Sequence, residues 1–272
     1  MREPLKFFKM HGLGNDFVVL DCMDGRGMDF VSQARKLCDR HCGVGADGLI
    51  AILPSVVADC RMRIFNADGS EAQMCGNGIR CAGKFVHDFG YVSTLSPAVE
   101  TMSGVKTLKL SLGADGKVTD VEVDMGVAVV RDEAPAYGMI ALSVGNPHIV
   151  SFVGDVMKYP VESEGPKLEC HPVWPDKANV EFVQLCPDGV LLQRTWERGV
   201  GETEACGTGA CAAAVAAVHA GLASFPLVVK LLGGDLHIDR DEKSGHVLMT
   251  GPATLVFEGR LIPDDGTSSE SL

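Results

Sequence analysis

Hydrophobic and polar positions in this chain alternate mainly with the two-residue period of β-strands. Residues 108–112 alternate, Ala-Asp-Gly follows, and residues 121–125 alternate again, which predicts a β-hairpin. Short apolar runs bounded by turn residues predict further strands. In the first half, one run lies at 7–20 on both sides of a His-Gly-Leu-Gly-Asn-Asp loop, and another ends at Phe65, before the turn that starts at Asn66. In the second half, the runs lie at 227–232, 236–239, 247–250 and 255–257.

Three stretches have the spacing of helices instead. Asp29 is a typical N-cap for the first, an amphipathic helix that ends before Gly43. The second begins near Cys75 and shows one apolar stripe that ends at Gly90. The third follows Cys206 and is alanine on nearly every face. Because a helix that is apolar all round belongs in a protein interior, we expect this last helix to be central.

The second and third helices begin with the same motif. Cys75-Gly-Asn-Gly78 and Cys206-Gly-Thr-Gly209 are 131 residues apart, close to half of the 272-residue chain. The same offset aligns Gly14-Asn15 with Gly145-Asn146 without gaps. Several matches at one shift indicate a duplicated domain. We therefore predict two similar domains at residues 1–126 and 127–258, with a strand within 259–272 returning to the first. The acidic, serine-rich tail at 264–272 is expected to be disordered.

Composition narrows the classes of function. The net charge of −12 argues against a nucleic-acid partner, which would need a basic face. The longest apolar run is far shorter than a membrane span, and no secretory signal pattern opens the chain. We therefore expect a cytoplasmic protein whose ten cysteines are reduced thiols. No Cys-x-x-Cys pair suggests a metal site.

Cys75 and Cys206 stand in the first turns of their helices. Backbone N–H groups there lack intrahelical partners and the helix dipole is positive, so both effects stabilise a thiolate or a bound anion. We expect this position to lower the pKa of both thiols. A single buried cysteine most often acts as a small hydrophobe, but two copies of the motif favour chemistry. The other eight cysteines, Cys81 and Cys211 among them, are interpreted as structural.

Five motifs, all in order, resemble those of diaminopimelate epimerases. They are Lys9-Met-His-Gly-Leu-Gly-Asn-Asp-Phe17, Phe65-Asn-Ala-Asp-Gly-Ser70, Cys75-Gly-Asn-Gly-Ile-Arg-Cys81, Gly145-Asn-Pro-His148 and Glu197-Arg-Gly-Val-Gly-Glu-Thr-Glu-Ala-Cys-Gly-Thr-Gly209. The resemblance extends from the first residues to about Arg260. It implies an α+β fold of two pseudo-symmetric domains, each a barrel-like, mostly antiparallel sheet wrapped around a central buried helix.

The resemblance also implies an activity. Members of this family form homodimers and interconvert LL- and meso-diaminopimelate, in lysine and peptidoglycan precursor synthesis, without pyridoxal phosphate or metal. Inverting an α-carbon needs a base on one face and an acid on the other, and two facing cysteines supply that pair. By resemblance Cys75 and Cys206 are these groups, His148 assists one cysteine and Glu197 the other.

Further residues are expected to bind the substrate. Backbone N–H groups at the two helix starts would bind the α-carboxylate and the developing enediolate. These groups belong to Gly76, Asn77, Gly207 and Thr208. Arg198, next to Glu197, would suit bidentate capture of the distal carboxylate. The resemblance also places four asparagines around the substrate: Asn15, Asn66, Asn146 and Asn179.

One segment departs from the family pattern and two other functions stay open. The segment is Gly43-Val-Gly-Ala-Asp-Gly-Leu49: some members carry a glutamine that lines the site near Gly48, and this chain does not. One alternative is a two-base racemase of the same superfamily acting on histidine, proline or another amino acid, although Glu197-Arg198 favours a substrate with a distal carboxylate. The other is an amino-acid-binding or thiol-sensing protein in which Cys75 and Cys206 form a reversible disulfide. Exchange of the substrate α-proton with solvent would indicate an enzyme.

Overall fold

The computed structural model describes residues 5–131 and 138–262 and has the predicted α+β fold, in which strands predominate. The first half contains β1 (Lys6–Gly12), β2 (Asn15–Asp21), α1 (Phe30–Cys38), β3 (Gly48–Leu53), β4 (Cys60–Asn66), β5 (Glu71–Ala72), α2 (Gly76–Asp88), β6 (Ala98–Thr101), β7 (Gly104–Leu112), β8 (Val118–Gly126) and β9 (Val129–Arg131). The second half contains β10 (Met139–Ser143), β11 (Pro147–Phe152), α3 (Val161–Glu169), β12 (Asn179–Leu185), β13 (Leu191–Glu197), β14 (Gly201–Thr203), α4 (Gly207–His219), β15 (Leu227–Leu231), β16 (Gly234–Arg240), β17 (Val247–Pro252) and β18 (Thr254–Arg260).

The two halves repeat one order of strand pairing. In the first, β1 and β2 are antiparallel, β2 runs parallel to β3, β3 antiparallel to β4, and β4 parallel to β6. In the second, β10, β11, β12, β13 and β15 pair in the same way. Helices α1 and α3, and helices α2 and α4, are separated by the same offset of 131 residues as the cysteine motifs. The predicted duplication is therefore confirmed, and most of the strand pairs are antiparallel as predicted.

Strands also connect the two halves. β8 pairs with its neighbour β7 and with β17 of the second half. β18 returns to the first half, where it pairs antiparallel with β1. This returning strand begins at Thr254. The division of the chain into domains 1–126 and 127–258 stays a prediction, and the tail at 264–272 lies outside the described residues.

The central core contains α2 and α4 because most residues of both helices are small or apolar. Every alanine of α4 is buried. In α2 the predicted apolar stripe is buried at Ile79, Ala82, Phe85 and Val86, and Arg80 is buried with it, whereas Phe89, which follows the helix, is exposed. Residues that alternate along β2 divide between two cores: Val19 packs in the central core, whereas Val18 packs in the outer core beneath α1. This strand is thus covered on both faces, and the starts of α2 and α4 lie inside the molecule.

Helix α1 lies on the outside, and its start is the predicted one. The Asp29 side chain accepts a hydrogen bond from the backbone N–H of Ser32 at 3.1 Å, which caps the helix. Within the described residues, no helix combines the length and the apolar character that a membrane span requires.

Candidate active site

Cys75 and Cys206 are the N-cap residues of α2 and α4. Both have extended backbones, and the helices begin at the glycines that follow them. The backbone N–H groups of a first helical turn have no partner four residues earlier, so they are available to the cap side chain or to a bound anion. One of them, the Gly78 N–H, donates to Cys75 Sγ at 3.4 Å. Both cysteines therefore lie at helix N-termini, as their motifs indicated.

The two helix starts approach one shared side chain, Met249 of β17. A Cβ placed on Gly76 would lie 3.0 Å from Met249 Cε, and one placed on Gly207 would lie 3.0 Å from Met249 Sδ. Asn77 links the same two regions, because its Nδ2 donates to the carbonyl of Ala205, just before the second cysteine, at 3.1 Å. The fold therefore brings together two motifs that are 131 residues apart in the sequence.

Asn15 lies beside Cys75. Its Oδ1 is 3.8 Å from Cys75 Sγ and accepts a hydrogen bond from Asn77 Nδ2 at 3.1 Å. Its Nδ2 donates to Asp47 Oδ2 at 2.8 Å. Asp47 belongs to the segment in which the chain departs from the family pattern, and no motif in the sequence singled it out. Its carboxylate fixes the orientation of the Asn15 amide, so that the amide oxygen faces the thiol.

Cys206 lies among groups that can exchange protons. Its Sγ is 3.5 Å from Thr208 Oγ1, and the thiol lies within hydrogen-bonding reach of the Glu197 carboxylate. The Thr203 hydroxyl donates to Glu197 Oε1 at 2.6 Å and holds this carboxylate in place. The Glu197 carboxylate thus stands near the second cysteine.

Burial decides the proton affinity of both cysteines. It raises the pKa of Cys75, and the N–H groups of Asn77 and Gly78 offset part of this effect. Burial together with the carboxylates of Glu197 and Glu181 raises the pKa of Cys206 well above its usual range. The helix positions had predicted lowered pKa values. In the structure the pKa values of both thiols are raised instead, because burial in the protein outweighs the helix N-terminus.

Glu197 is close to both thiols. Its negative charge contributes to raising the pKa of Cys75 as well as that of Cys206. Burial raises the pKa of the Glu197 carboxyl itself. A carboxyl group in such a place can take up or release a proton nearer to neutral pH than a solvated one.

His148 is fully buried on β11. Its Nδ1 lies 2.8 Å from Glu181 Oε1, and its Nε2 lies 2.8 Å from Asn146 Oδ1. Asn146 Nδ2 is in turn 3.4 Å from Thr208 Oγ1. The described hydrogen bonds therefore connect His148 to Cys206 through two intermediate side chains.

Glu181 is a site candidate that no sequence motif indicated. It lies in β12, where the five residues from Asn179 to Val183 are all buried. A carboxylate in the middle of a buried, largely apolar strand is rarely unpaired. The position of Glu181 within the apolar run of β12 is therefore the feature of the sequence that could have identified it. Only the fold shows that its partner is His148.

Arg198 lies at the edge of a cavity of about 300 Å³. The Arg198 N–H donates to Asn179 Oδ1 at 2.9 Å, and its Nη1 donates to the carbonyl of Asp176 at 2.9 Å. The Arg198 side chain is exposed, so its remaining donors can bind a carboxylate. The cavity is also lined by Arg131, Asn146, Trp174 and Lys177.

Asn66 differs from the other asparagines. It is the exposed last residue of β4, where the turn begins, and its Nδ2 donates to Ser70 Oγ at 2.9 Å. Its described side-chain hydrogen bond thus stays within the turn, whereas Asn15, Asn146 and Asn179 contact other predicted site residues.

The site combines two thiols, two helix N-termini and an exposed guanidinium beside a cavity. These groups can transfer protons at two positions and bind two anionic groups. Among residues 5–131 and 138–262, no three His, Cys, Asp or Glu side chains are grouped to hold a metal ion.

The sequence profile of the diaminopimelate epimerase family matches residues 7–130 and 140–256. The chain belongs to the diaminopimelate epimerase family. A diaminopimelate epimerase of Methanococcus maripaludis strain C5 is 45% identical, with 94% of this chain and 99% of the relative covered. That of Phocaeicola vulgatus is 47% identical, with 96% and 99% covered. The resemblance drawn from the sequence motifs is confirmed.

Solved structures with the same fold extend beyond the diaminopimelate epimerase family. A phenazine biosynthesis protein of the PhzF family from Bacillus anthracis superposes with a TM-score of 0.75 at 18% identity, covering 96% of this chain and 100% of the other. A probable proline racemase from Agrobacterium radiobacter gives a TM-score of 0.71 at 15% identity, with 97% and 94% covered. At these identities the likeness concerns the fold alone.

Proposed function

We propose that this chain is an isomerase that interconverts LL- and meso-diaminopimelate, with Cys75 and Cys206 as its two acid–base groups. The observation that supports this most strongly is the meeting of two cysteine-capped helices, one from each half, beside Met249. Membership of the diaminopimelate epimerase family supports the reaction and the substrate. The proposal includes a cytoplasmic homodimer that works without an added cofactor and supplies lysine and peptidoglycan synthesis.

In the proposed reaction two protons move, one on each face of the α-carbon. The thiolate of one cysteine takes the α-proton, and the electron pair of the broken C–H bond passes into the α-carboxylate as an enediolate. The thiol of the other cysteine then gives its proton to the opposite face, so the configuration is inverted. The first cysteine ends as the thiol and the second as the thiolate, which suits a reversible reaction.

The helix starts supply the stabilisation that this enediolate needs. Backbone N–H groups at Gly76, Asn77, Gly207 and Thr208 are donors that require no rearrangement during the reaction. They act in a buried site, where electrostatic interactions are stronger than in water. Glu197, near Cys206, is suited to exchange protons with this thiol.

Arg198 is proposed to select the substrate. Its guanidinium stands beside the 300 Å³ cavity and donates to the Asp176 carbonyl, while Asn179 holds the Arg198 backbone N–H. A guanidinium can bind a carboxylate through two parallel hydrogen bonds. It would hold the distal carboxylate of diaminopimelate, a group that proline and histidine lack.

Proton NMR of LL-diaminopimelate in D₂O, with reduced enzyme, tests the proposal. We expect loss of the α-proton signal together with formation of the meso isomer, and no exchange with histidine, proline or glutamate. Exchange confined to one of these controls would show that this amino acid is the substrate and not diaminopimelate, and would leave the two-base mechanism in place. No exchange with any of the four, in protein with free thiols, would refute the proposed function.

A further inference from the structure

Helices α2 and α4 rest on equivalent sheet positions that differ in chemistry. Under α2, a Cβ placed on Gly78 would lie 3.2 Å from Ile50 Cδ1. Under α4, a Cβ placed on Gly209 would lie 2.7 Å from Glu181 Oε1. The offset of 131 residues that relates the two glycines also relates Ile50 to Glu181. A carboxylate therefore occupies, behind Cys206, the place that a methyl group occupies behind Cys75.

The same contrast holds for the neighbours of Glu181. Four polar residues are buried behind Cys206: His148, Glu181, Gln193 and Thr195. Their equivalents in the first half are also buried and all apolar: Phe17, Ile50, Met62 and Ile64. The first half shows that this architecture is built with apolar residues at these positions. Because burying polar and charged groups costs free energy unless they are paired, the polar set requires a reason other than the fold.

The hydrogen bonds from Glu181 to Cys206 form one continuous chain. Both ring nitrogens of His148 face acceptors, Glu181 Oε1 and Asn146 Oδ1, each at 2.8 Å, and a ring with a hydrogen on each nitrogen satisfies both. Asn146 Nδ2 then donates to Thr208 Oγ1. The Thr208 hydroxyl accepts this bond and keeps its own hydrogen, which it can donate to Cys206 Sγ, 3.5 Å away. A donor at the sulfur stabilises the thiolate.

We propose that Glu181 is a positioning residue for the epimerisation, whose buried carboxylate orients the chain His148, Asn146, Thr208 so that it ends in a hydrogen-bond donor to Cys206. The proposal rests on the acid–base role of Cys206 proposed above. Glu181 makes no hydrogen bond to the thiol among the described contacts; its charge acts on Cys206 from a distance and raises the pKa of this thiol, whereas its orienting effect passes through His148.

Glu181→Gln reverses this direction with little change of shape. An uncharged amide oxygen does not hold a ring with two hydrogens, so the ring keeps its hydrogen at Nδ1 and loses the one at Nε2. The Asn146 amide then turns to donate to Nε2 and presents its oxygen to Thr208. The Thr208 hydroxyl donates to that oxygen, and Cys206 loses its donor.

A double-mutant cycle tests this chain. We measure kcat and KM in both directions for Glu181→Gln, for Thr208→Val, which removes the hydroxyl and keeps the backbone N–H, and for the double variant. We expect each single change to lower kcat by about 10- to 100-fold, as when the partner of a functional histidine is removed, with KM changed less than about twofold. The double variant should be no slower than the slower single variant, because either change breaks the same chain. If the fold-decrease in kcat of the double variant equals the product of the two single decreases, the proposal is overturned.

Asp88→Asn is the matched control. Asp88 also has a largely buried carboxylate, but it lies at the far end of α2 and accepts from Lys84 and from the Val118 N–H. We expect its kcat to equal that of the unaltered enzyme. A Glu181→Gln enzyme that is folded and keeps more than half of the activity would contradict the proposal.

Nitrogen-15 NMR of the histidine rings tests the proposal in the unaltered enzyme, whether or not the variants fold. We expect a hydrogen on each ring nitrogen of His148. A His148 ring with one hydrogen would overturn the role of Glu181. If Cys206→Ser is inactive in the same experiments, the proposed function stands in spite of that result. Full activity of Cys206→Ser would refute the proposed function itself.

Discussion

Replacing Cys75 with serine should leave the fold intact and remove most of the activity. Cys75 caps α2 with a sulfur, a weak acceptor, 3.4 Å from the Gly78 N–H. Serine is among the preferred N-cap residues, about 1 kcal/mol better than alanine. We therefore expect the free energy of unfolding of Cys75→Ser to change by less than about 1 kcal/mol, since the cap is kept and the side chain is nearly the same size.

Although Cys75→Ser should change the stability little, it should slow the reaction strongly. A serine hydroxyl does not ionise as a thiol does, so one of the two acid–base groups is lost. Removal of such a group costs about 10²- to 10⁴-fold in rate, or roughly 3 to 5 kcal/mol in the barrier. Because Cys206 remains, the variant should still exchange the α-proton of one isomer for deuterium, on the face next to Cys206 and without inversion.

The assay is proton NMR in D₂O with LL- and meso-diaminopimelate supplied separately, alongside thermal unfolding. Cys81→Ala is the matched control: it removes a buried thiol from the same helix, so it should lose stability and keep its turnover. Near-normal interconversion by Cys75→Ser would refute the two-thiol mechanism. A fall in Tm of more than about 4 °C would refute the capping argument.

An exposed arginine, a tightly packed glycine and three buried thiols allow further tests. Arg198→Ala should lower kcat/KM for diaminopimelate by about 10- to 100-fold, the value of a charge-assisted hydrogen bond, with normal unfolding; an unchanged kcat/KM would show that another group binds the distal carboxylate. Gly209→Ala should destabilise the protein by about 1 to 3 kcal/mol in denaturant titrations, because its Cβ would lie 2.7 Å from Glu181 Oε1; equal stability would show that the carboxylate moves freely. Stability should also fall between pH 9 and 12, because burial raises the pKa of three thiols from 9.0 to about 12 and the unfolded chain ionises first: full stability holds below pH 9, and roughly 4 kcal/mol is lost by pH 10. The three thiols are those of Cys60, Cys81 and Cys211. An unfolding free energy that stays constant over this pH range would contradict their raised pKa values.

Much of the fold was predictable because its signals are local. Strand periodicity, the Asp29 cap and the alanine-rich helix each depend on residues within one element, and each was found where the pattern placed it. The duplication was also visible, because two copies of one domain keep the same spacing along the chain. The spacing of the cysteines alone thus indicated two equivalent helix starts.

The site was predictable only in part. Asn15 and Asn146 lie next to the cysteine ends of the helices, whereas Asn66 stays within its own turn, although all three occur in similar turn sequences. Asp47 and Glu181 were missed because each acts through a partner that is distant in the sequence. The motifs pointed to residues at the helix starts and in the neighbouring loops, and not to the residues that hold those side chains in place.

By itself the sequence determined the duplicated α+β architecture, the two cysteine-capped helices and the family, because these follow from periodicity, spacing and local motifs. The tertiary structure decided the environment of each thiol. It buried Cys206 and partly buried Cys75, so that burial raises their pKa values where the helix N-termini alone would have lowered them. It also placed carboxylates behind Cys206 and apolar side chains behind Cys75. Proton affinity depends on every charge and on the water excluded around a group, and those neighbours come from strands that only folding brings together.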